Sequence, residues 1–171
     1  IAFPIFAFLI AEGYRHTHKK WEYGRNLLMF AFISEIPWML LHTDGSHNVV
    51  FTLLAGFCCI AILDQFRSHK AMLILLVLLI ASATSVFNTD YGIQGVVLIL
   101  IFYLLRDKLL LQLPFILPLF YEFHPLSILA SLGMISLYNG ERGFIRGHYS
   151  KYLFYAFYPS HLMVIWALLV V

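Results

Sequence analysis

Charge is scarce in this sequence. Asp, Glu, Lys and Arg make up 12% of the 171 residues, against about 25% in a soluble domain. Hydrophobic residues reach 61% and the mean hydropathy is +0.84. A soluble fold of this size has too little interior to hide that much apolar surface. Cysteine is nearly absent too. The two present, Cys58 and Cys59, are neighbours inside an apolar run and cannot staple distant segments. Strand-like alternation is missing, which argues against a barrel. No GxSxG, CxxC, HExxH or P-loop occurs, so a soluble-type hydrolase or ATPase has no support. The net charge of +2 is too small to imply nucleic acid as a partner.

What the sequence does hold is a series of apolar blocks: 1–12, 25–42, 48–63, 70–87, 91–105, 109–121, 125–138 and 152–171. They predict an all-α, polytopic transmembrane helical bundle of about eight segments. Some are shorter than the ~20 residues a standard span needs. Pro114, Pro118 and Pro125 make the sixth and seventh candidates for half-helices or a re-entrant hairpin. We read one domain over 1–171. The first block has only a dozen apolar residues and no initiating Met, so a further N-terminal helix is expected upstream.

Basic residues are missing from every second loop. All 11 Lys and Arg lie after the first, third, fifth and seventh blocks, whereas the alternate loops carry Asp44, Asp90 and Glu122. The positive-inside rule makes the basic loops cytoplasmic and puts the C-terminus outside.

Several polar residues interrupt the apolar pattern. Glu12, Arg15 and His16 are spaced i, i+3, i+4 and share one helical face at the cytoplasmic boundary. A carboxylate there orients the imidazole, and an arginine beside both suits a phosphate; the alternative is an interfacial ion pair that ends a helix. Glu35 is expected near mid-membrane, where a carboxylate is protonated, paired or facing a wet cavity. His161 lies at comparable depth, beside Tyr158, Pro159 and Ser160. If Glu35 and His161 meet, they form a carboxylate-oriented general base; otherwise His161 donates to a carbonyl freed by Pro159. The stretch YNGERGFIRGH places Asn139, Arg142 and Arg146 in a glycine-rich loop, with Lys151 close behind, a composition suited to phosphate. Gly92 and Gly95 are positioned for close helix packing. His16 with His18, or His42, Asp44 and His47, are weak metal candidates, and we expect no metal.

Five stretches, IAFPIFAFLIAEGYRHT, FAFISEIPW, NVVFTLLAGF, YNGERG and KYLFYAFYPSHL, resemble the TraX family of membrane proteins, named for F-pilin N-terminal acetylation and grouped with membrane acyltransferases. Family members carry a further hydrophobic helix with an Asp-His pair ahead of these stretches. The resemblance implies acetyl transfer from acetyl-coenzyme A to an amine or hydroxyl of a protein, peptide or glycan, in the bacterial inner membrane among its lipids. Under that reading His161, Glu35, His16 and Glu12 form the expected catalytic set. Arg15, Asn139, Arg142, Lys151 and Tyr158 form the expected substrate-binding set. The competing expectation is a small proton-coupled transporter or a membrane scaffold.

Overall fold

The computed structural model of the chain describes residues 2–106, 108–120, 125–140 and 150–170. These form eight helices: α1 (Ala2–His16), α2 (Lys20–Leu41), α3 (Val49–Gln65), α4 (Lys70–Val86), α5 (Gly92–Leu104), α6 (Leu109–Leu119), α7 (Pro125–Ser136) and α8 (Ser150–Val170). The all-helical class and the eight segments match the expectation. The proline-rich pair resolves into two separate helices, α6 and α7, packed on one another.

The transmembrane part of the expectation is not met in its simple form. Among the described residues, no helix is long and apolar enough to cross a membrane. The reason is length and interruption. Helices α3 and α4 have 17 residues each, about 25 Å at 1.5 Å per residue, against ~30 Å of hydrocarbon. Helix α2 is longer, but Lys20, Glu22, Arg25 and Glu35 interrupt it.

Helix α1 is the hub. It packs on α3, α5 and α7, while α2 bridges α3 to α8 and α4 flanks α3 and α5. Its buried face, including Phe3, Ala7, Ile10, Ala11 and Tyr14, joins Leu53, Phe57 and Ile60 of α3 and Leu98, Ile99 and Phe102 of α5 in one core. Small residues let these helices approach. A Cβ on Gly95 would sit 2.5 Å from Thr52 Cγ2 and 2.7 Å from the Phe3 ring, so the close packing expected of this glycine is present. Aromatic contacts finish the joints: Phe3 stacks on Tyr91 at 3.8 Å and Phe30 on Tyr155 at 4.9 Å.

Among the described residues, the first five helices keep the alternation of their loops in three dimensions. At one end, hereafter the basic end, α1 and α5 finish together through Arg106 and Glu12, and the start of α2 meets the end of α3 through Lys20 and Asp64. At the opposite end the α2–α3 loop meets the α4–α5 loop: His47 N–H donates to the Asn88 carbonyl (3.0 Å) and Asp90 N–H to the His47 carbonyl (2.9 Å). The second loop is tightly wound, with positive φ at Asn88 (47°) and Tyr91 (63°).

Candidate functional site

Two polar clusters and one cleft hold the chemistry-bearing side chains. At the basic end, Glu12 is buried at 4% exposure in an apolar helix and cannot stand alone. Arg106 grips it with both forks: Nε to Oε1 at 2.7 Å and an η nitrogen to Oε2 at 2.7 Å. One turn on, His16 Nε2 lies 3.3 Å from Oε2 while its ring stays more than half exposed. The i, i+4 pairing read from sequence is present, with Arg106 as the partner that sequence spacing did not reveal. Arg15 turns toward α5. Its guanidinium donates to the Tyr103 carbonyl and rides 4.8 Å above the Tyr103 ring. Beside this cluster, Lys20 donates to Asp64 at 2.7 Å and lies 4.3 Å over the Tyr14 ring. The Lys20 hydrogen bond holds the Asp64 carboxyl below the usual carboxylate range, and Asp64 raises Lys20 in turn.

At the opposite end, Glu35 does not sit at mid-depth. Helix α2 begins at Lys20 rather than at 25, which puts Glu35 further from the basic end than expected and within the last two turns before Leu41. The α2–α3 loop folds back over it. His47 Nδ1 donates to Glu35 Oε1 at 2.5 Å, and Asn48 donates to Oε2 from its backbone N–H (3.2 Å) and its side-chain amide (2.5 Å). Asn48 is fully buried and also caps α3, its Oδ1 accepting Val50 N–H at 3.0 Å. The loop before it is held separately: Asp44 accepts both the Ser46 amide and hydroxyl, and Trp38 Nε1 donates to the Ser46 carbonyl.

The expected partner of Glu35, His161, is elsewhere. Its Nδ1 donates to the Phe157 carbonyl at 3.2 Å, and its ring stacks on Phe157 at 5.3 Å. This is the alternative reading of His161 in altered form. The carbonyl is its own i−4 group, not that of Tyr155, the residue four before Pro159. His161 and Glu35 therefore form no pair. From α8, the Tyr158 phenol is hydrogen-bonded to the Val49 backbone at the start of α3.

Between the clusters runs a cleft of about 530 Å³. Its rim at the basic end carries Thr17, Lys19 and Glu22, the last two ion-paired at 2.8 Å. Its walls are Phe6, Leu9, Ile10, Leu27, Phe30 and Leu53, and Val49, Val50, Tyr155 and Tyr158 also line it. Tyr158, expected to bind substrate, is thus a cleft residue. Asn139 is exposed beside Gly140, whose φ of +79° is a turn conformation that favours glycine. Arg142, Arg146 and the side chain of Lys151 lie outside the described residues. His42 stacks on Trp38 at 3.7 Å while Asp44 and His47 are engaged as above, and among the described residues no three His, Cys, Asp or Glu converge as metal ligands.

Compared with known families, residues 1–169 match the one described as TraX protein. The chain belongs to the TraX family. No curated protein and no solved structure matches it. The TraX match runs through all eight helices and so takes in both polar clusters and the cleft between them. Sequence reasoning found Glu12, His16, Glu35 and Tyr158 but missed Arg106, His47 and Asn48 as their partners. An Asn in N-cap position directly ahead of an apolar run was the available signal for the last of these.

Proposed function

We propose that this protein is a membrane-embedded acyltransferase that moves an acetyl group from acetyl-coenzyme A to an amine or hydroxyl of a protein, peptide or glycan. The supporting observation is the cleft. Coenzyme A is an extended molecule with phosphates at one end and the thioester at the other. The cleft has a matching polarity, with charged groups at its rim and apolar walls running to Tyr158, and its volume lies within the range of small-molecule sites, roughly 300–1,000 Å³. In this reading Lys19 at the rim holds the phosphates at the basic end, with His16, next to the rim residue Thr17 in the chain, and with Arg142 and Lys151 as further cations. Glu12 and Arg106 fix His16. The thioester then lies deep in the cleft, where Tyr158 supplies a hydroxyl for the developing oxyanion.

The apolar exterior supports a bilayer setting. Helix α4 exposes Ile74, Leu75, Leu78 and Leu79, each at 56–59%, and α8 exposes Leu168 and Leu169 at over 70%. Contiguous apolar surface of this kind marks lipid or partner contact. The short helices then cross by drawing the bilayer in around them and by pooling their polar ends. With the basic loops cytoplasmic, the donor enters from the cytoplasm. A proton-coupled transporter needs a polar path between the two ends, and the walls at Ile10, Leu27, Phe30 and Leu53 interrupt one.

Acetyl-coenzyme A binding to the purified protein in detergent, followed by tryptophan quenching or calorimetry, tests the reading. Saturable binding weakened by Lys19→Ala and His16→Ala supports it. Absence of binding by a folded sample defeats it.

A further inference from the structure

We propose that His47, oriented by Glu35, is the general base that deprotonates the acyl acceptor, at the end of the molecule opposite the basic loops. The assignment rests on the acyltransferase reading above for its substrate, but its chemistry follows from the geometry of the pair.

Glu35 is held as an acceptor. Three donors converge on its two oxygens: the His47 ring at 2.5 Å, the Asn48 amide at 3.2 Å and the Asn48 side chain at 2.5 Å. Asn48 is itself immobile, because its side chain also donates to the Ala31 carbonyl at 2.8 Å and accepts from Val50. A carboxylate so satisfied fixes the imidazole tautomer. With Nδ1–H committed to Glu35, the neutral ring carries its lone pair on Nε2. The backbone of His47 is pinned by its paired bonds to Asn88 and Asp90, so the ring cannot swing away with its loop. The His47 side chain is 42% exposed while that of Glu35 is 15% exposed. The pair therefore has a protected orienting group and an accessible base.

Position decides between this pair and Glu12–His16. Phosphates held at the basic rim place the thioester far from His16 and toward Val49, Val50 and Tyr158. His47 and Glu35 are not themselves among the lining residues; the link is Val49, which lines the cleft two residues beyond His47 and whose backbone is hydrogen-bonded to the Tyr158 phenol. The step balances as follows. The acceptor oxygen or nitrogen attacks the thioester carbonyl while Nε2 takes its proton. The C–S bond breaks, and the coenzyme A thiolate leaves with the proton returned from the imidazolium. The acceptor is then a hydroxyl or amine presented at the face opposite the donor's phosphates.

Two measurements on the full chain in detergent test this. The first is acetyl release from radiolabelled acetyl-coenzyme A, with donor affinity measured in parallel, for wild type, His47→Ala, Glu35→Gln and His42→Ala. Release falling about 10²-fold or more in the first two variants, with donor affinity kept and His42→Ala unaffected, is expected. Full release by His47→Ala overturns the assignment. The second needs no acyltransferase activity: carbethoxylation of His47 by diethylpyrocarbonate, followed residue by residue by mass spectrometry across pH. Slower modification of His47 in Glu35→Gln, with the rate at His42 unchanged, is expected. If wild type binds no acetyl-coenzyme A, the acyltransferase reading fails and this second result alone decides whether Glu35 activates His47. Equal rates in both proteins overturn the pair.

Discussion

Arg106 reaches Glu12 across 94 positions of sequence and closes on it with two bonds of 2.7 Å each. The pair joins the ends of α1 and α5, the two helices around which the core is organised. Because Glu12 is almost fully buried, Arg106→Ala removes its guanidinium and leaves the carboxylate facing the half-exposed His16 ring at 3.3 Å. A destabilisation of about 3–5 kcal/mol is expected, read from chemical unfolding in detergent. Replacing both residues with apolar ones of similar size should recover much of it.

Gly95 tests the packing of α5 against α3 and α1. A methyl group there meets Thr52 and the Phe3 ring well inside contact distance. Gly95→Ala should cost about 1–3 kcal/mol, whereas Gly133→Ala, which meets nothing within 4 Å, should be neutral or mildly stabilising. Paired thermal melts separate the two.

Asn48→Ala removes the α3 cap and two of the hydrogen bonds that hold the opposite-end cluster, one to Glu35 and one to Ala31. The cap alone accounts for about 0.5–2 kcal/mol. Hydrogen exchange should show earlier opening of the first turn of α3, with α5 amides beyond Val96 unchanged.

The Lys20–Asp64 pair predicts a small, two-sided pH dependence. Asp64 is depressed by its bond from Lys20, so its contribution is present above the unfolded carboxylate value of about 3.9 and is lost as pH falls through the lower folded value. Lys20 is raised, so its contribution is complete below the unfolded lysine value of about 10.4 and fades as pH climbs through the higher folded one. Both side chains are more than a third exposed, and the pair should be worth under about 1 kcal/mol. Asp64→Asn should flatten the acid limb of the stability curve.

His161→Ala should leave acetyl-coenzyme A binding unchanged. The imidazole serves its own helix, through the Phe157 carbonyl and ring, and is not among the residues that line the cleft. Unchanged binding isotherms are expected, and a large loss would return His161 to the site.

How far the sequence could be read depended on distance along it. Helix count, order and alternating ends were visible because apolar runs and loop charges are local signals. Glu12 and His16 were visible because one helical turn separates them. Arg106 was not, since nothing in the sequence says that the ends of α1 and α5 adjoin. Glu35 was expected to be paired, and it is, but its partners are His47 and Asn48 and not His161. Lys20, Trp21, Glu22 and Tyr23 read as loop by hydropathy, yet they are the first turn of α2, and that extra length carries Glu35 to the far end. Its true partner then comes from a loop folding back over the helix, a turn that apolar periodicity does not encode.

On the membrane-embedded reading proposed above, the shortness of α3 and α4 carries a consequence for the bilayer. A bilayer that wraps helices of 17 residues must give up several ångströms of its hydrocarbon, at fractions of a kcal/mol per ångström of mismatch. That elastic cost falls when such proteins share one thinned zone or meet a neighbour with an equally narrow apolar belt. On that reading the helix lengths bias the protein toward thin regions of membrane and toward clustering there.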